Sequence, residues 1–423
     1  AKAAEGLLPV AESLASLKPL SLSEAQKILR SDEALLILHA GSDAVYGSLA
    51  TKNGEPLLWR QPMRIADLDR KVQALRKGLE IEEALPAFPM QEAHDLFRSL
   101  LGPAQGRLGQ IRSLLVVADG PLLAFPLGVL PTEMPKSLPK TAEQFRAAGV
   151  KWLGLSHAIA YLPTARALES RLAQRIARTA TLPFAGIGNP VLAQGQRTAR
   201  NVDYGAVFRR DSLANVDVLR AQASLPETEG EIRAISKLLG GREQDLFLAD
   251  KASEPALRKN GLGAYRIIMF ATHGLMGGEL TGMAEPGLVL TPPKTASAED
   301  DGLLAASEII GMKLDADLVI LSACNTASSD GRPRAEGFSG LTRAFLSAGA
   351  RNVIVTHWAI PSEPAVFITT GMMGERQRDP TISWSEALRR SFATLIQSKG
   401  PAEFAHPSNW AAFSVVGMQE SDH

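Results

Sequence analysis

A chain of 423 residues, 45% of them hydrophobic, is long enough for two or three domains around a large core. Its 45 Lys and Arg balance 45 Asp and Glu, so there is no electrostatic case for nucleic acid or an anionic membrane as the main partner. A single cysteine excludes an internal disulfide and a cysteine-rich metal site, and leaves the compartment open. No apolar run approaches the ~18 residues of a membrane span. The first residues, AKAAEGLLPV, lack an initiating methionine, and sequence upstream of them is expected, either a removed leader or a further domain.

The segment SLSEAQKILR (21–30) carries a capping box, Ser21 with Glu24, ahead of a short helix. Strands are predicted at ALLILHA (34–40) and AVYGSLATKNG (44–54), the second ending on an Asn53-Gly54 turn. Mixed helix fills 65–101, and SLLVVADGPLLAFPLGVLP (113–131) reads as a buried strand broken at Asp119-Gly120-Pro121. A strand and a helix follow in AIAYLPTARALESRLAQRI (158–176). The stretch 192–222 is rich in Arg, Gln, Asn and Ala with little apolar periodicity, and reads as a long exposed loop open to proteolytic nicking.

Order restarts at LPETEGEIRAISKLLGG (225–241). There Thr228 and Glu231 have capping-box spacing, Ile232, Ile235, Leu238 and Leu239 form an apolar stripe, and Gly240-Gly241 stop the helix. Strands then alternate with helices: strand 266–272, a Gly- and Pro-rich excursion over 276–302, strand 317–323, helix 338–350, strand 352–358, helix 383–399 with a Ser383–Glu386 box, and strand 411–417. Near-continuous apolar strands between amphipathic helices predict an α/β protein with a largely parallel sheet covered on both faces. No repeat of fixed period is present.

In open parallel sheets functional groups gather at the carboxyl ends of strands. His273 and Cys324 each follow such an end, and the order and separation, a histidine about 50 residues ahead of a cysteine, match the caspase pattern. A free thiol, pKa about 8.5, is mostly protonated at neutral pH, and an imidazole that removes or holds its proton makes it a nucleophile. Gly274 leaves a backbone N–H unobstructed, which with the N–H of Cys324 can receive an oxyanion, a contribution of about 3 kcal/mol per donor. A single cysteine at a strand end is more often a small buried hydrophobe, and spacing alone leaves both readings open. His39 and His157 have no partner in the pattern, and His406 precedes a proline as a turn residue. GIGNPV (186–191) fails as a dinucleotide loop because Val191 replaces the third glycine, and no phosphate loop, HExxH pair or GxSxG elbow occurs.

The runs ATHGL (271–275), GLVLTP (287–292), DGLLAASEI (301–309), ADLVILSACNTA (316–327), EGFSGLTRAFLSAGARNVIVTHW (336–358) and HPSNWAAFSVVG (406–417) resemble the CHAT domain family. That family is caspase-like, of peptidase clan CD, related to separases and often C-terminal to TPR repeats. Upstream, LLVVADGPLLAFPLGVL, YLPTARAL, GIGNPVL and LPETEGEI extend the likeness to about residue 20. The resemblance implies a caspase–haemoglobinase-like fold of two modules, an N-terminal pseudo-caspase over residues 1–177 and a catalytic module over 178–423. It implies His273 as base, Cys324 as nucleophile, and Gly274 and Cys324 as the oxyanion hole.

Glu336 and Gly337 match a motif that shapes the substrate cleft, and His357 lies at the end of its own strand near the same edge. Where relatives carry acids after the tryptophan, Pro361 and Ser362 stand here, with Glu363 one position later and Asp330 as a further acid. The expected activity is that of a cysteine endopeptidase acting on a protein or peptide substrate, with no metal or other cofactor, gated by an upstream or separate TPR or sensor module. The alternative is a catalytically silent caspase-like scaffold.

Overall fold

The computed structural model describes residues 19–81, 84–173, 179–192, 213–275, 285–322 and 340–417. Its first half holds β1 (Glu33–Ala40), β2 (Ala44–Thr51), β3 (Leu57–Pro62), β4 (Ser113–Ala118) and β5 (Ala158–Tyr161). Next come β6 (Leu182–Gly188), β7 (Leu246–Leu248) and β8 (Tyr265–Ala271), then the short β9 (Gly274–Leu275), β10 (Gly287–Val289) and β11 (Leu303–Ala305). The chain closes with β12 (Leu318–Leu321), β13 (Asn352–Thr356) and β14 (Phe413–Gly417).

Eleven of these form one sheet in the order β3-β2-β1-β4-β5-β14-β13-β12-β8-β6-β7. Strands β1, β4, β5 and β14 run parallel to one another. So do β13, β12, β8, β6 and β7. The two blocks meet at the antiparallel pair β13–β14. They therefore point in opposite directions, and their carboxyl edges lie at opposite ends of the sheet. The sheet runs unbroken from one half of the chain to the other, because β14 seats itself between β5 and β13.

Composition explains the inner strands. All four residues of β12 and all five of β13 are buried, as a strand covered on both faces requires. At the outer edge, β3 alternates half-buried and exposed positions and leaves Leu58 69% exposed. Helices flank the sheet: helix Glu227–Leu239 packs on β6, helix Ser362–Arg378 packs against both it and helix Trp384–Gln397, and the last of these reaches β5. Gly186 and Gly188 sit in β6 because helix 227–239 comes so close. A Cβ on Gly186 would lie 2.3 Å from Ile232 Cγ2, and one on Gly188 2.5 Å from Ile232 Cδ1. Packing, not phosphate binding, accounts for GIGNPV.

Three readings change. Strands β9, β10 and β11 form a small separate sheet, β10 within the 276–302 excursion that composition marks as irregular and β9 and β11 at its two ends. Strands this short leave no periodicity to detect. Of the loop expected over 192–222, residues 193–212 lie outside the described residues. The remainder is not an exposed loop: Val216–Arg220 is a helical turn with Val216 and Leu219 buried, and Leu192, Ala214, Leu219, Leu275, Val289 and Leu303 form a satellite core. The third concerns Thr228 and Glu231, whose cap does not form. The helix begins after Pro226 with no side-chain cap. Thr228 instead accepts a hydrogen bond from Asn189 N at 2.9 Å and donates to Leu225 O at 2.7 Å. The box at Ser21 and Glu24 is present in full.

Candidate active site

His273 follows β8 by two residues and is 8% exposed. Its backbone is held by the small sheet. Val289 N donates to His273 O at 2.8 Å, and the Thr272 hydroxyl donates to Val289 O. The ring faces the loop before helix 227–239, with Nε2 2.7 Å from Ala223 O. A carbonyl accepts only, so this contact places the proton on Nε2 and leaves the lone pair on Nδ1. Burial lowers the His273 pKa below the ordinary imidazole value, against smaller opposing effects of the Ala223 carbonyl and Glu227. The ring is therefore neutral at pH 7 and able to accept a proton. Gly274, half-buried, opens β9.

Strand β12 lies beside β8 in parallel register, Leu318 opposite Ile267 and Leu321 opposite Phe270. Ser322 N continues the ladder by donating to Phe270 O at 2.9 Å. Cys324, Asp330, Glu336 and Gly337 lie outside the described residues. Glu363 is exposed in the first turn of helix 362–378, just after Pro361. His357 is 1% exposed, and its Nε2 meets Ser414 Oγ at 2.9 Å across the β13–β14 seam. His357 follows β13, one strand beyond β12 in the same parallel block as β8.

Burial, with Arg76 adding to it, pushes the His357 pKa down to about 3. The sign follows from linkage: a histidine depressed on folding contributes stability that is full above its unfolded pKa, about 6.5, and lost as pH falls. Between pH 7 and pH 5, His357→Gln is expected to lose about 2 kcal/mol less unfolding free energy than the unsubstituted chain. Urea titrations of both proteins at the two pH values check this.

Three other histidines have structural partners. His39 Nδ1 pairs with Asp119, whose Oδ1 also accepts from Ala40 N at 2.8 Å. That pair sits at the carboxyl ends of β1 and β4, the edge opposite to His273. His157 Nε2 donates to Leu108 O at 3.1 Å, and His406 Nδ1 accepts from Ser408 N at 3.2 Å in a turn. Among the described residues no three His, Cys, Asp or Glu side chains gather to hold a metal ion, and no helix is long and apolar enough to cross a membrane.

Two contributors have no signal in the sequence. The Ala223 carbonyl is backbone, and nothing in its residue type marks it. Glu231 carries the spacing of a helix cap and is instead buried, its carboxyl between Ser322 and Thr369.

An extended, mostly parallel sheet flanked by helices, with a neutral histidine past an inner strand, defines the caspase-like class of α/β proteins. Residues 91–418, well over half of the chain, match the family model of the CHAT domain, and the chain belongs to that family. It is 24% identical over 379 residues to Tetratricopeptide repeat protein 28 of Mus musculus, covering 79% of this chain and 13% of that protein. To the Homo sapiens protein of the same name it is 26% identical over 220 residues, covering 46% and 8%. The chain thus spans a small part of the length of these relatives. Its fold resembles a chain in the crystal structure of the Saccharomyces cerevisiae separase–securin complex, with TM-score 0.52 and 11% identity over 93% of this chain and 31% of that one.

Proposed function

We propose that this chain is a cysteine endopeptidase in which Cys324 is the nucleophile and His273 the base. The observation that carries the reading is register. Paired residues of β8 and β12 differ by 51 positions, as Ile267 and Leu318 do. Cys324 and His273 differ by the same 51. The equal separation supports the reading: were that offset to hold past the strand ends, where functional groups of parallel sheets gather, position 324 would face position 273.

The chemistry is then ordinary acyl transfer. Sγ of Cys324 attacks the scissile carbonyl carbon, and its proton passes to Nδ1 of His273. The oxyanion is received by the N–H groups of Gly274 and Cys324. The tetrahedral centre collapses, the C–N bond breaks, and His273 returns the proton to the leaving amine. Water, deprotonated by His273, then attacks the thioester and frees Cys324.

Asp330, Glu336 and Glu363 are the acids proposed to meet the substrate side chain. We read residues 1–177 as a pseudo-caspase module supporting the catalytic module 178–423. The relatives' names contain tetratricopeptide repeats, and gating by such a module, on the same chain or another, is part of the proposal. The test is mass-spectrometric profiling of a diverse peptide mixture with the native chain and with Cys324→Ala. Cleavages made only by the native chain are expected. Cleavages common to both would refute Cys324 as nucleophile.

A further inference from the structure

Glu254 opens helix Glu254–Asn260 and is 2% exposed. A carboxyl buried this far needs partners, and its own helix supplies only one. Oε2 accepts from Arg258 Nη2 at 2.5 Å, one turn on. Oε1 accepts from Asp301 N and from Gly302 N, each at 3.0 Å, on the two residues before β11. Gly302 is buried, and its φ of +83° disfavours a side chain. Its N–H, cut off from water, has the Glu254 carboxyl as acceptor.

From Gly302 the contacts lead to His273 through β10. Leu290 N donates to Gly302 O at 2.9 Å, and β10 pairs with β11, Leu288 opposite Leu304 and Val289 opposite Leu303. On its other side β10 pairs with β9, Leu288 opposite Gly274, and Val289 N holds His273 O at 2.8 Å. Thr291, two residues past β10, makes a second tie. Its hydroxyl donates to Ala249 O at 2.7 Å and accepts from Val191 N at 2.9 Å, and its N–H donates to Ala252 O at 2.7 Å. The sheet that carries the His273 backbone is thus docked on segment 249–254 from two places.

We propose that Glu254 is a positioning residue for His273, acting with Thr291: the two dock the small sheet on segment 249–254, and the docked sheet fixes the His273 backbone so that the ring keeps its Nε2–H on the Ala223 carbonyl and its lone pair on Nδ1. The proposal rests on the reading of His273 as the base. Oε1 accepts from the two N–H groups whether or not the carboxyl is ionised, so no titration of Glu254 is involved. Without the tie the ring is free to turn, and a base held out of line costs rate without costing substrate binding.

The tautomer can be read on the full chain without a substrate. In two-bond proton–nitrogen NMR spectra at about pH 7.5 a neutral histidine shows which ring nitrogen carries the proton, and the His273 signals are those missing from His273→Gln. The native protein is expected to show the Nε2–H form alone. So is Glu254→Gln, whose amide oxygen still accepts from Asp301 and Gly302. Glu254→Leu fills the space and accepts nothing. It is expected to show averaged tautomers and, on a peptide found by profiling, a kcat lower by about tenfold with KM unchanged. Arg171→Ala strips the buried Glu33 pair in the other half of the chain; it controls for lost stability and should leave the His273 signals in place. Unmoved His273 signals in Glu254→Leu overturn the positioning role, and so does an equal change in Arg171→Ala. Averaged tautomers in Glu254→Leu, beside a native protein that cleaves no peptide, uphold the tie and count against the peptidase reading. Should Glu254→Leu fail to fold, Thr291→Val removes the hydroxyl of the second tie and must average the tautomers as well; a native spectrum there overturns the proposal.

Discussion

Replacing His273 with Gln is expected to slow cleavage of a peptide identified by profiling by about 10³-fold, with the fold intact. The choice of Gln matters. Its amide nitrogen can take the place of Nε2 and keep the donor to the Ala223 carbonyl, now at 2.7 Å, while nothing replaces the basic lone pair on Nδ1. An alanine would leave that buried carbonyl unsatisfied and mix a stability loss of about 1–3 kcal/mol into the result. Because burial keeps the His273 pKa below the ordinary value of an imidazole, the acid limb of the native rate profile belongs below about pH 6.5. Activity falls there because the protonated ring has no lone pair to offer. In His273→Gln the Cys324 thiol should alkylate like a free thiol, with a pKa near 8.5. A variant that keeps the native cleavage rate would remove His273 from the mechanism.

The second large effect concerns stability, far from that site. Glu33 opens β1 and is 3% exposed. Its carboxylate is gripped bidentately by Arg171, Nη1 to Oε2 at 2.8 Å and Nη2 to Oε1 at 3.1 Å, and accepts from Arg30 N at 3.0 Å. Burial raises the Glu33 pKa, and the Arg171 hydrogen bonds and charge more than offset it, so the group stays below its ordinary value. Arg171→Ala strips the partner from a buried charge and is expected to cost about 3–5 kcal/mol. For 423 residues that corresponds to a fall in Tm of about 5 °C. The double variant Glu33→Leu/Arg171→Met should recover most of the loss, since a buried pair contributes little over a packed apolar pair. A double variant as unstable as Arg171→Ala would mean that the pair contributes specific stabilisation. Calorimetry on the three proteins decides it.

How much of this was legible beforehand can be traced residue by residue. The inner strands were readable because a strand buried on both faces must be continuously apolar, and RIIMFAT, DLVILSA and NVIVTHW are. The Ser21–Glu24 cap was readable because a cap is local, closed within four residues. Thr228 and Glu231 show the same spacing and behave differently. Helix 227–239 lies against β6 and helix 362–378, and in that setting a carboxylate aimed inward finds Thr369 and Ser322 in place of its own helix end. The spacing records what local hydrogen bonding permits, and tertiary packing selects among the options. For the same reason the sequence could reject GIGNPV as a dinucleotide loop but could not say why its glycines are there, which is the close approach of Ile232 to Gly186 and Gly188.

By itself, the sequence determined the α/β class, the inner strands, the order of histidine and cysteine and the family likeness, because each of these is carried by residue type at short range. Tertiary structure alone decided that β8 and β12 are neighbours in a register offset of 51, that β14 closes the sheet between the two halves, and that the blocks run in opposite directions. It also decided that the Ala223 carbonyl sets the His273 tautomer and that Glu231 reaches the end of β12. These are contacts between segments tens to hundreds of residues apart. Their energies depend on burial and geometry that exist only once the sheet has formed.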